Sequence, residues 1–73
     1  MNIELKIETD YVYINCDVMI NILTEIKEKN LDVSQGWLYD FTDQIEWSLK
    51  ILKENKHRDY KELKNKYNKI MVT

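Results

Sequence analysis

The sequence predicts an α+β domain: an N-terminal two-stranded antiparallel hairpin packed on a small three-helix unit, in the order β-β-α-α-α. Two patterns point there. The first fifteen residues alternate in polarity with period two, and the rest carries apolar residues at three- and four-residue spacing. Length adds a bound, because 73 residues hold one small domain, spanning 1–73, and no second core.

In the alternating segment Ile3, Leu5 and Ile7 point one way and Glu4, Lys6 and Glu8 the other. Val12 and Ile14 then alternate with Tyr11 and Tyr13. Period two with β-branched and aromatic residues is a strand signal. Thr9-Asp10 reads as the turn. The resulting register pairs Ile7 with Val12 and Leu5 with Ile14 on one face, and Glu8 with Tyr11 and Lys6 with Tyr13 on the other. A slip of one residue would reverse every side chain. Cys16, opposite Ile3 in this register, is expected in the core.

Asp17 is the expected N-cap of a helix running to about Asn30, with Val18, Met19, Ile22, Leu23 and Ile26 as its apolar stripe. Ser34 caps the central helix, where Trp37, Phe41, Ile45, Leu49 and Leu52 recur beside Leu38. Gly36 weakens its first turn by about 1 kcal/mol relative to alanine, so Thr42-Asp43 is an alternative start. This helix ends near Asn55-Lys56. A third helix, about 57–71, carries Tyr60, Leu63, Tyr67, Ile70 and Met71.

Catalytic equipment is scarce. The single glycine rules out a phosphate-binding glycine loop or a dinucleotide fingerprint. One Cys and one His, at 16 and 57, lack the spacing of a nucleophile pair or a zinc site. His57 reads as a surface residue. Asp40, Asp43 and Glu46 share a helical side but no loop shapes them for a cation. The chain therefore reads as a non-enzyme with neither metal nor cofactor. No apolar run approaches the roughly 18 residues needed to span a bilayer, and Met1-Asn2-Ile3-Glu4 lacks the pattern of a signal peptide. With a lone cysteine, this points to the cytoplasm. Abundant Lys, Asn, Ile and Tyr fit an AT-rich coding sequence, as in a low-GC bacterium or a phage or other mobile element.

Function is then expected at the surface. Residues 1–49 carry ten acids against three lysines, and residues 50–73 eight basic residues against three acids. Three readings follow. The favoured one is a protein-binding regulator or inhibitor that meets a basic partner surface through Asp40, Asp43 and Glu46, with Asp32 nearby. Trp47, Tyr11 and Tyr13 supply its apolar contact. Trp47 falls outside the apolar arc of its helix, ringed by charges, as an interface anchor does, although the third helix could instead cover it. The second reading is nucleic-acid binding through Arg58, Lys61, Lys64, Lys66 and Lys69, which spread widely around the last helix. Against it stands the expectation that the basic segment packs back beside the acidic body. The third is self-assembly, as a homodimer through the hairpin edge or the last helix.

Overall fold

The protein is described by a computed structural model covering the backbone of residues 3–72 and the side chains of residues 8–72. It holds three helices, α1 (Ile3–Glu28), α2 (Gln35–Glu54) and α3 (Tyr60–Val72), and no strand among the described residues. The expected α+β architecture is therefore corrected to all-α. Residues predicted as a hairpin and a separate helix form one continuous helix. Thr9-Asp10 is no turn, and Asp17 caps nothing, because both lie inside α1. The side chains of Ile3, Glu4, Leu5, Lys6 and Ile7, all in the first strand of the proposed register, lie outside the described residues.

Physics favours the helix on two counts. A two-residue hairpin turn needs residues that tolerate positive φ, usually Asn-Gly or Asp-Gly, and Thr9-Asp10 supplies no glycine. Meanwhile Val12, Cys16, Ile20, Leu23 and Ile26 step by three or four and form one line along a helix. Cys16, Ile20 and Leu23 are fully buried on that line, with Ile26 nearly so. Burying it outweighs the weaker helix propensity of the many β-branched residues. Thr24 adapts by donating its Oγ1 hydrogen to the Ile20 carbonyl one turn back, at 2.8 Å.

The expected stripe of α1 also moves. Ile20, absent from it, is fully buried, whereas Val18 and Ile22, assigned to it, are exposed. Ile14, assigned to the core face of the hairpin, is exposed too. Cys16 is buried as expected, but on a helix.

The other two helices follow the sequence closely. The Ser34 side chain accepts a hydrogen bond from the Trp37 N–H at 3.2 Å and caps α2. Thr42-Asp43 is therefore interior to α2. Ile45, Leu49 and Leu52 are buried, joined by Ser48. Phe41 and Leu38 pack at the margin, and Trp37 stacks on Phe41 at 4.8 Å but remains exposed. On α3, Leu63 and Tyr67 are buried, Tyr60 and Ile70 flank them, and Met71 is exposed.

Both interhelical stops share one device. Asn30 and Lys56 adopt positive φ, 52° and 53°. After α1, Leu31 N–H bonds the Ile26 carbonyl and Asn30 N–H that of Lys27. After α2, His57 N–H bonds the Leu52 carbonyl and Lys56 N–H that of Lys53. These paired bonds satisfy carbonyls that the helix leaves open and reverse the chain, with a left-handed residue where glycine is usual. The short 29–34 connection sets α1 and α2 antiparallel, and α3 packs against both. The result is elongated: the Cα radius of gyration is 13.1 Å, against about 11 Å for a compact chain of this length.

Candidate functional site

Three places bring chemically expressive side chains together. The first is the end where the α2–α3 turn meets α1. As the residue just after the left-handed Lys56, His57 is delivered back toward α1. Its ring stacks on Tyr13 with centroids 5.0 Å apart and planes 8° from parallel. Nε2 lies 3.1 Å from Asp10 Oδ1, and Nδ1 accepts from the Asp59 N–H at 3.1 Å. An acceptor role for Nδ1 places the proton on Nε2, which then donates to Asp10. The His57 side chain is only 7 % exposed, so the surface position expected for it is corrected. All its polar atoms are engaged within the fold, which makes this a structural latch. Burial, followed by the nearby carboxylates Asp17, Asp59 and Glu62, raises the Tyr13 phenol above its ordinary pKa.

The second is the outer face of α2. The buried side of α2 runs through Ile45, Leu49 and Leu52, and Trp47 projects from the opposite side at 60 % exposure. The third helix does not cover it. Asp40, Asp43, Lys50 and Glu54 share that side at helical spacing and are exposed. Asp43, Gln44 and Trp47 line a shallow open depression. The expected acidic group divides here. Asp40 and Asp43 stay on the outer face, whereas Glu46 accepts a 2.8 Å hydrogen bond from the Tyr67 hydroxyl and ties α3 to α2. Burial is the main cause that raises the Tyr67 phenol far above its ordinary pKa, and the Glu46 hydrogen bond adds to it.

The aromatic contacts expected beside Trp47 divide as well. Tyr13 is stacked on His57. Tyr11 is 64 % exposed, but on the side of α1 away from its buried line. Because α1 and α2 pack buried side to buried side, Tyr11 and Trp47 face in opposite directions. The two sit on different helices.

The third place is the basic helix. Lys66 Nζ reaches Asp17 Oδ1 at 3.0 Å, and the Arg58 Nε lies 3.4 Å from the Asp59 carboxylate. Lys64 and Lys66 lie on opposite flanks of the buried Leu63–Tyr67 line, while exposed Lys61 and Lys69 face outward. The lysines thus surround α3 instead of forming one phosphate-tracking stripe.

Cys16 is enclosed between helices, its Sγ 3.9 Å from the Ile45 carbonyl. Burial, with Asp17 a smaller cause, pushes its thiol up to about 11, so it is protonated at neutral pH. No group of three or more His, Cys, Asp or Glu among the described residues is placed to hold a metal ion. No helix, over the described residues, is long and apolar enough to cross a membrane.

Sequence reasoning missed two features. The latch joins His57 to Asp10 across 47 residues, and no local pattern announces such a pair. The second is a line of exposed apolar residues on α1: strand-like alternation hides Tyr11 and Ile14, and Val18 and Ile22 read instead as part of the buried stripe. No protein-family model, curated protein or solved structure matches this chain.

Proposed function

We propose that the protein is a non-enzymatic regulator or inhibitor that works in the cytoplasm by occupying a basic surface of a partner protein, using the outer face of α2. One observation carries this reading: Trp47 stands 60 % exposed among charged residues, opposite the buried side of its helix. Exposing a large indole forgoes burial free energy of about 1.5–3 kcal/mol for a side chain of comparable apolar content. Buried Trp anchors ringed by polar groups dominate many binding surfaces. Asp40 and Asp43 steer a basic partner and fix its orientation, and the depression beside Trp47 accepts a protruding side chain.

The test is affinity capture from host lysate with wild-type protein, Trp47→Ala and Asp43→Lys, with and without nuclease. Both substitutions fall on exposed positions, and circular dichroism checks that each variant remains helical. The reading expects a nuclease-resistant protein partner that elutes with rising salt and is lost in both variants. Capture unchanged in both folded variants would sink it. Recovery that disappears with nuclease would move function to the lysines of α3.

A further inference from the structure

α1 has two apolar lines on opposite sides. One is the buried line through Cys16, Ile20 and Leu23. The other comprises Tyr11, Ile14, Val18 and Ile22, exposed by 64, 54, 49 and 43 %. Their three- and four-residue steps align them along one side of the helix. A helix apolar on both sides is the pattern of an element packed between two layers. Here α2 and α3 cover one side only.

The charges beside the exposed line identify what fits it. Asp10, Asp17 and Glu28 run along one flank, where Asp10 is bonded to His57 and Asp17 to Lys66, and Glu8 lies on the other. Glu25 continues the line beyond Ile22 and forms a 2.8 Å ion pair with Lys29. Lys27 is turned to the inner side, where its Nζ donates to the Ile70 carbonyl at 3.1 Å. The outer half of α1 therefore presents an apolar strip between carboxylates. A second copy of the chain would set these carboxylates against each other, and like charges across an interface are penalised. Nucleic acid and anionic lipid carry the same wrong sign.

We propose that this strip is a second interaction surface, separate from the α2 face, for a basic amphipathic helix of a protein partner. The occupant lays its own apolar stripe along Tyr11, Ile14, Val18 and Ile22, as helical ligands do with i, i+3, i+4 and i+7 anchors. Its flanking lysines or arginines meet Glu8 and Glu28, since His57 and Lys66 already engage Asp10 and Asp17. The inference is independent of Trp47, so the two faces can fail separately.

The probe is a synthetic Leu/Lys peptide with leucines at helical a and d positions, compared with a scrambled peptide of identical composition. Each is titrated calorimetrically into the intact protein at physiological salt. The patterned peptide should bind at least tenfold more tightly than the scrambled one. Val18→Asp should weaken it tenfold or more, Ile14→Ser with Ile22→Ser should do likewise, and Glu8→Lys with Glu28→Lys should weaken it several-fold. Trp47→Ala should leave it unchanged. Equal binding of both peptides would overturn the proposal, since charge alone would then explain it. So would unchanged affinity in folded Val18→Asp or in the Ile14/Ile22 double variant. A dimeric mass in sedimentation that Val18→Asp converts to monomer would also overturn it, and would assign the strip to a second copy.

Discussion

α1 and α2 are built from similar side chains but distribute them differently. α2 keeps its apolar residues on one side and sets a single tryptophan among charges on the other. α1 places isoleucine, valine and tyrosine on both sides. Burial in this molecule therefore follows position, and residue type alone does not decide it. Ile20 and Ile22 have the same side chain two residues apart, yet one is fully buried and the other 43 % exposed.

That contrast is most directly tested by making the same change on each side. Ile20→Ala should destabilise the fold by about 2–5 kcal/mol, a large share of the roughly 5–15 kcal/mol that holds a domain together. Ile22→Ala should stay within about 0.5 kcal/mol. Urea denaturation of both variants measures the difference, and equal losses would mean that the outer strip is covered in the isolated protein.

The latch at the α2–α3 turn sharpens the comparison between an aromatic used inside the fold and one left outside. His57→Ala removes a ring stack worth about 0.5–1.5 kcal/mol and hydrogen bonds worth about 1 kcal/mol each. A loss of about 2–3 kcal/mol in the same denaturation assay is expected. Trp47→Ala, by contrast, should barely move the midpoint.

Alkaline titration separates the enclosed side of α1 from its open side. The Cys16 thiol has its folded pKa raised from an ordinary 9.0 to about 11. In the unfolded chain it loses its proton first, so its contribution is complete below pH 9 and is lost as pH rises toward 11. Tyr67, also raised, adds a loss that begins above its ordinary 10.0. Stability should therefore decline from about pH 9 upward. Cys16→Ala should remove the first part of that decline and Tyr67→Phe the later part. Thermal melts across this range read both.

The smallest effects concern the helix stops and starts. Lys56 at φ 53° occupies a conformation that costs a side-chain-bearing residue about 1 kcal/mol relative to glycine. Lys56→Gly should raise stability by up to that amount. Gly36 sits at an ordinary helical position with open space where a methyl group would go. Its replacement by alanine should add about 0.5–1 kcal/mol. Differential scanning calorimetry resolves changes of this size.

The same contrast explains what can be read from the sequence. α2 is legible because its apolar residues are one-sided: Ser34 marks the start, Ile45–Leu49–Leu52 the core and Asn55-Lys56 the end. α3 is legible for the same reason through Leu63 and Tyr67. In α1 the apolar residues are two-sided, so over Tyr11–Ile14 the two lines interleave and imitate strand alternation. The absence of any glycine or proline before Gly36 argues for a helix, but local alternation is the stronger signal. For the candidate site, the position of Trp47 opposite the core is visible in the spacing of α2. The capture of Glu46 by Tyr67 and the opposite facing of Tyr11 depend on how helices pack, which spacing within one helix does not encode.

Cys16 has a practical consequence. It is the chain's single thiol, and it sits where α1 meets α2, closed off and protonated. A thiol-reactive dye can reach it only when that seam parts. The labelling rate therefore counts opening events, without any introduced probe, and a ligand that clamps α1 would slow the clock.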